Sequence, residues 1–186
     1  MIGQLPKSVE IAGNIYDIRY DFRDCLNILI AFTDNDLEDY EKMYVALTIF
    51  YVDKIPEEHI NEAYEKMIWF LNLGDKLSDT KNINKAKLYD WEQDEQIIFA
   101  AVNKVAGYET REKEKLHFWT FINYFYEVGD STFAYITRIR DKLNHNEKLD
   151  DIEKKYYKEN KDMIVLAAKY SKKEQDIINQ INELLK

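Results

Sequence analysis

The sequence is poor in the residues that form tight turns and cross-links. Its 186 residues include only five Gly, two Pro and one Cys. So few turn-forming residues disfavour a fold built from many short strands. The lone Cys25 excludes an internal disulfide, and its neighbours Leu26 and Ile28 predict a buried structural thiol.

Positive charge and long apolar runs are also scarce. The formal net charge is −9, which disfavours nucleic acid as a partner because phosphate binding needs clustered Lys and Arg. No stretch reaches about 18 consecutive apolar residues, and no secretory signal pattern precedes the first predicted element. The sequence therefore predicts a soluble intracellular protein that does not enter a membrane.

The composition is that of a folded, mainly α-helical protein. Hydrophobic residues make up 46% of the chain and aromatic residues 14%, which argues against disorder. The length suits one domain over 1–186, with a β-hairpin at 8–20, a helical core at 21–143 and C-terminal helices at 150–186. The helix predicted over 116–128 is apolar on two sides, so we expect it to be buried between neighbours.

Hydrophobic spacing and capping residues predict the remaining elements. Alternation around Gly13-Asn14 predicts the hairpin, and 76–88 reads as a surface loop. About seven to eight helices follow, over 22–32, 37–51, 56–74, 91–106, 116–128, 131–143, 152–170 and 171–185. Asp21, Asp90, Ser131 and Ser171 are the predicted N-caps. The second helix is predicted from the three- and four-residue spacing of Leu37, Tyr40, Tyr44, Leu47 and Tyr51.

The sequence contains no recognisable set of catalytic residues. The three histidines, His59, His117 and His145, lie far apart without cysteines or carboxylates at metal-ligand spacing. Neither a glycine-rich phosphate loop nor a nucleophile elbow occurs. The sequence predicts no catalytic residue, no cofactor and no metal ion.

One short motif keeps an enzymatic alternative open. Arg140 and His145 match the Arg-polar-x-x-x-His signature of the HEPN family of helical ribonucleases. The resemblance implies an arginine that stabilises phosphate charge and a histidine that moves a proton. Two fixed positions often match by chance, and the acidic charge opposes RNA binding.

Several motifs taken in order resemble a family of bacteriophage proteins known as gene product fifteen. The matching stretches run from about residue 5 to 170. They are Asp21-Phe22-Arg23, Phe70-Leu71-Asn72-Leu73-Gly74, Tyr89-Asp90-Trp91-Glu92-Gln93-Asp94, Leu116-His117-Phe118-Trp119-Thr120-Phe121, Ile139-Arg140 and Lys154-Lys155-Tyr156-Tyr157. The apolar-striped helix at 171–186 is an addition to the family pattern, so the resemblance assigns it no role.

The resemblance implies a tail assembly chaperone without enzymatic activity, working in the cytoplasm of the bacterial host. Its partners would be the tape measure protein, which it coats, and the tail tube protein, which it recruits. An unrelated helical adaptor is a further alternative. The ten acidic residues at 34–66 are either a solvated face or a docking patch. The hairpin edge and the last helix are candidates for self-association. The residues predicted to contact a partner are Tyr40, Tyr156, Tyr157, Ile178, Ile181 and Leu185.

Overall fold

The computed structural model describes residues 3–75 and 86–184 of the chain. Within these residues the chain is mainly helical, with nine α-helices and one two-stranded antiparallel hairpin, which confirms the predicted fold class. Most of the loop predicted at 76–88 lies outside the described residues. No helix among the described residues is long and apolar enough to cross a membrane.

Two compact units divide the chain. The hairpin unit comprises Pro6–Leu71 and Ala168–Lys186, and the central unit comprises Met1–Leu5 and Asn72–Ala167. Since this division follows internal contacts alone, the single domain expected over 1–186 stays a prediction. Neither unit is continuous in sequence, so the last helix is part of the same unit as residues 6–71.

The hairpin unit is built from two strands and four helices. They are β1 (Ser8–Ile11), β2 (Asn14–Asp17), α1 (Phe22–Phe32), α2 (Asp39–Phe50), α3 (Ile60–Leu71) and α9 (Lys172–Leu184), with a 3-10 turn at Glu57–His59. Ile11 pairs with Asn14, so the hairpin turn is formed by Ala12 and Gly13, one residue earlier than predicted. Both turn residues have positive φ, +47° and +78°, as the twist of a two-residue hairpin requires.

Helix ends in this unit are satisfied by side chains. The Asp21 carboxylate accepts a hydrogen bond from the Arg23 backbone N–H and caps α1, as predicted. Arg19 Nη1 donates to the carbonyls of Thr48 and Ile49, at 2.9 Å each, near the C-terminal end of α2, where carbonyls lack helical partners. Cys25 is fully buried, and this burial raises the pKa of its thiol, which confirms the structural interpretation.

The described part of the central unit contains five helices around an aromatic core. They are α4 (Glu95–Ala106), α5 (Phe118–Tyr126), α6 (Thr132–Asn144), α7 (Asp151–Glu159) and α8 (Lys161–Ile164), with a 3-10 turn at Thr110–Glu112. Phe118, Phe121, Ile122 and Phe125 of α5 are buried. The Phe125 ring packs against Trp91 at 5.0 Å and Phe133 at 5.4 Å between centroids. The buried α5 is confirmed for this unit, although the helix ends at Tyr126.

The predicted start of α4 at Trp91 is wrong, because a turn precedes the helix. Asp90 Oδ1 accepts from the backbone N–H groups of Glu92 and Gln93, which holds residues 91–94 in that turn. The Gln93 side chain, expected to bond back to Asp90, instead donates to the Val165 carbonyl at 2.9 Å. A contact 72 residues away therefore replaces the capping box that the local sequence suggests.

The single helix predicted over 152–170 is also wrong. The chain forms α7 and α8 with a break at Asn160, whose side chain donates to the Tyr156 carbonyl at 3.0 Å. Ile152 and Met163, two apolar residues within the predicted helix, are 76% and 42% exposed. The buried positions are Glu153 and Ile164 instead. This split explains why the described residues form nine helices where seven to eight were expected.

Candidate functional site

Two tyrosines of α2 form an exposed aromatic surface. Tyr40 and Tyr44 are four residues apart, which places them on one side of the helix, and each is 68% exposed. The buried residues of α2 are Ala46, Leu47 and Phe50, so the residues that predicted this helix divide between its buried and its exposed side. We call Tyr40 and Tyr44 the tyrosine face.

Acidic residues surround the start of the tyrosine face. The segment 34–41 reads DNDLEDYE and contains five carboxylates and no base. Glu38 and Glu41 form a capping box, in which the Glu38 N–H donates to Glu41 Oε2 at 2.8 Å. Part of this negative charge is thus explained by helix capping and by the helix dipole, which favours carboxylates at an N-terminus.

Helix α9 is attached to the same segment by its first turn. Asn35 Nδ2 donates to the Lys169 carbonyl and the Lys172 N–H donates to Asp36 Oδ1, both at 2.6 Å. Ser171 and Glu174 exchange the reciprocal hydrogen bonds of a capping box, at 2.8 and 3.3 Å, as predicted. The start of α9 is therefore fixed within the hairpin unit.

The apolar side of α9 is largely exposed. Ile177 is 56% exposed, Ile181 is 50% exposed and Ile178 is half-buried; we call these three residues the α9 stripe. Two of the residues predicted to contact a partner, Ile178 and Ile181, thus lie on an amphipathic helix with an accessible apolar side. Leu185, a third, lies outside the described residues.

Tyr156 and Tyr157 on α7 have a different environment. Both are half-buried and pack against the buried cluster of Ile136, Ile139 and Ile164. The Tyr156 ring also meets the Tyr135 ring edge-on, with 4.9 Å between centroids. These contacts give the two tyrosines a packing role in the central unit, and their role in binding a partner stays a prediction.

Arg140, the arginine of the HEPN motif, is fully engaged in hydrogen bonds within the fold. Arg140 is 4% exposed, and its Nη1 and Nη2 donate to the two carboxylate oxygens of Asp94 at 2.6 and 2.9 Å. Its other three N–H groups donate to the carbonyls of Leu88, Met163 and Ile164 at 2.9, 2.8 and 2.7 Å. Because a guanidinium has five N–H donors, this arrangement leaves none to bind a phosphate.

His145 lies at the end of the same helix, in different surroundings. Its side chain is 66% exposed, and Nδ1 lies 2.9 Å from the Asp141 carbonyl oxygen. The structure therefore places a buried, fully bonded arginine and an exposed histidine on α6, rather than two side chains that face a shared substrate. This geometry argues against the HEPN mechanism.

Other polar groups are accounted for locally. Within residues 3–75 and 86–184, no group of three His, Cys, Asp or Glu side chains is arranged to hold a metal ion. His117 is 7% exposed, and its Nδ1 accepts from the Trp119 N–H and caps α5. His117 is therefore a buried residue that caps a helix.

Sequence reasoning missed Tyr44 and Asp94. Tyr44 was used only in the spacing with Leu47 and Tyr51 that predicts the second helix, and it was not named as a contact residue. No sequence pattern marks Asp94 itself. Arg140, however, lies at helical spacing from Phe133 and Ile136 on the buried side of α6, and this position predicts a buried partner for the arginine. An arginine on a buried helical face needs a carboxylate, since an unpaired buried charge is costly.

Comparison with known proteins yields one family. The family model described as Bacteriophage Gp15 protein matches residues 1–166 of the chain. The match includes the tyrosine face and the Arg140 network, and it stops before α9. Searches of curated proteins and of solved structures found no match.

Proposed function

Because the chain belongs to the Bacteriophage Gp15 protein family, we propose that it is a tail assembly chaperone. It binds the tape measure protein in the cytoplasm of the bacterial host and recruits tail tube subunits to that complex. No covalent step is involved, and the protein leaves as the tube polymerises.

The observation that carries this proposal is the tyrosine face. It lies inside the matched residues 1–166. Its helix, α2, is capped at the N-terminus by the Glu38–Glu41 capping box, and Arg19 donates to a carbonyl near the C-terminus. Tyrosine is enriched at binding hot spots, because its large ring buries area and its hydroxyl group tolerates water. An ordered helix that presents two such rings loses little entropy on binding.

The α9 stripe supplies a second contact surface. Exposed isoleucines on one side of a helix suit the apolar groove or helix of a partner. The stripe lies outside the residues that the family model matches, so the family match gives this contact no support. We infer that it adds to binding by the tyrosine face.

Net charge supports a coating role. At −9, copies of the protein repel one another in solution, which opposes aggregation of a chaperone that exposes apolar side chains. A partner that neutralises this charge allows several copies to line up along it. The acidic surface therefore favours coating of another protein over uncontrolled self-association.

Co-expression tests the proposal. The tagged protein is produced with the tape measure and tail tube proteins of the same phage, and proteins retained with the tag are identified. Retention of the tape measure protein in a soluble complex is the expected result. Failure to retain either protein overturns the proposal.

A further inference from the structure

We propose that the tyrosine face docks a positively charged segment of the tape measure protein, in which Lys or Arg side chains alternate with apolar ones. This inference rests on the proposed function and names the chemistry that its partner must have. The argument combines the exposed rings, the charge around them and the rigidity of α2.

The rings themselves are suited to cationic side chains. A guanidinium or ammonium group is attracted to the face of an aromatic ring, more strongly when water is excluded. Tyr40 and Tyr44 leave about two thirds of their surface exposed, at 68% each. Their helical neighbour Thr48 is also exposed, and its hydroxyl group donates to the Tyr44 carbonyl at 2.8 Å. The surface is therefore aromatic, with a neutral hydroxyl group beside the second ring.

The electrostatic surroundings select a cationic partner. Residues 34–66 contain ten Asp and Glu against three Lys, a net charge of −7 from ten minus three. Asp39, next to Tyr40, is exposed, and Glu41, three residues before Tyr44, is partly accessible. Such a field accelerates the approach of a basic segment and repels nucleic acid or another acidic protein.

The apolar component follows from the neighbouring side chains. Met43 and Leu37, which flank Tyr40 at helical spacing, are only partly buried, so apolar area borders the rings. A segment with lysines alone would leave this area in water. A segment with both cationic and apolar side chains covers it and gains the hydrophobic contribution.

A second copy of this chain is the competing occupant. Lys154, Lys155 and Lys158 on α7 are exposed and offer positive charge. However, α7 also carries Asp151 and Glu159, both exposed, and two copies at −9 each repel. The observed charges therefore favour a basic foreign segment over self-docking.

Peptide titration of the full-length protein tests the inference. The probe is a fluorescently labelled synthetic peptide in which lysine and leucine follow helical periodicity, and anisotropy reports binding. The comparison peptide has glutamate in place of every lysine. The variants are Tyr40→Ala/Tyr44→Ala, the ring-retaining Tyr40→Phe/Tyr44→Phe, and Tyr126→Ala as a control with matched exposure of 69%.

The expected result is binding of the lysine peptide that weakens as salt is added, and no binding of the glutamate peptide. Tyr40→Ala/Tyr44→Ala should weaken binding by about tenfold or more, as expected for hot-spot residues. The Phe pair and Tyr126→Ala should stay within about twofold of the wild type. Circular dichroism confirms that every variant is folded.

Three results overturn the inference. They are equal binding of both peptides, wild-type affinity in Tyr40→Ala/Tyr44→Ala, and no binding of the lysine peptide at all. Sedimentation of the unliganded protein gives a fourth: a dimer that this double variant converts to a monomer assigns the surface to a second copy.

Tape measure retention and peptide binding together distinguish a failure of this docking surface from a failure of the proposed function. If the tape measure protein is retained by Tyr40→Ala/Tyr44→Ala as well as by the wild type, the chaperone function stands and this docking surface is wrong. If the lysine peptide binds as expected but the tape measure protein is never retained, the surface stands and its assigned partner is wrong.

Discussion

Arg140 and Asp94, 46 residues apart, form a buried ion pair with two hydrogen bonds of 2.6 and 2.9 Å. The remaining N–H groups of Arg140 bind carbonyls before α4 and at the end of α8. One side chain thus joins three segments of the central unit: α6, the stretch before α4, and α8. Arg140, which would be catalytic under the HEPN alternative, therefore has a structural role: it connects these segments of the fold.

Removal of Arg140 should destabilise the protein strongly. Arg140→Ala leaves the Asp94 carboxylate buried without its cation, and we expect the free energy of unfolding to fall by about 3–5 kcal/mol. His145→Ala, at an exposed position, should change it by less than about 0.5 kcal/mol. Urea unfolding followed by circular dichroism measures both. Near wild-type stability of Arg140→Ala would contradict the connector role.

RNA cleavage by the same proteins decides the ribonuclease alternative. Since the donors of Arg140 are all engaged, we expect purified wild type and His145→Ala to leave a fluorescent RNA equally intact. A cleavage activity present in the wild type and lost in His145→Ala would restore the HEPN hypothesis. The stability measurement above shows that His145→Ala is folded, so such a loss would be a loss of chemistry.

The Glu153 carboxylate on α7 makes the free energy of unfolding depend on pH. Lys142 Nζ donates to both oxygens of Glu153 at 2.7 and 2.8 Å. This hydrogen bond, with the backbone N–H of Asp150 and the nearby Arg138, lowers the pKa of Glu153. The stabilisation is present above the ordinary carboxyl pKa and is lost as pH falls through the lowered folded value.

Glu153→Gln should therefore destabilise the protein at neutral pH and have a smaller effect in acid. Urea unfolding at about pH 7 and about pH 3 measures the difference from the wild type at each pH. Glu159→Gln, at an exposed position on the same helix, serves as the matched control. An equal destabilisation by Glu153→Gln at both pH values would show that its charge is not what stabilises the fold.

The α9 stripe makes a separate prediction. Ile177→Gln/Ile181→Gln should leave the unfolding free energy within about 0.5 kcal/mol, because both side chains are exposed. The same change should reduce the amount of tape measure protein retained in a pull-down. The control is Asn179→Ala/Gln180→Ala, between the isoleucines in sequence and exposed. Equal retention by all three proteins would exclude the stripe as a contact.

Elements with local signals were predictable from the sequence. Asp21, Ser131 and Ser171 cap α1, α6 and α9 as expected, because a cap depends on residues within one turn of it. The start of α4 and the end of α8 at Ile164 were not predictable. Both depend on distant partners, since Gln93 binds the Val165 carbonyl and Arg140 binds the carbonyls that end α8.

The candidate site was predictable only in part. The acidic segment and the α9 stripe are visible in the sequence, and Tyr40 was named as a contact residue. Helical spacing alone could not show that Tyr44 is exposed, because Leu37, Tyr40, Tyr44 and Leu47 fit one stripe as well as two. The packing of α2 through Ala46, Leu47 and Phe50 decides which side faces solvent.

The most direct test of the chaperone function is the solubility of the tape measure protein when it is produced with and without this chain. We expect it to aggregate alone and to stay soluble, bound to the tagged chain, in the presence of wild type or Tyr126→Ala. Tyr40→Ala/Tyr44→Ala should protect it less well. A tape measure protein that aggregates equally in the presence and absence of the wild-type chain would contradict the chaperone function.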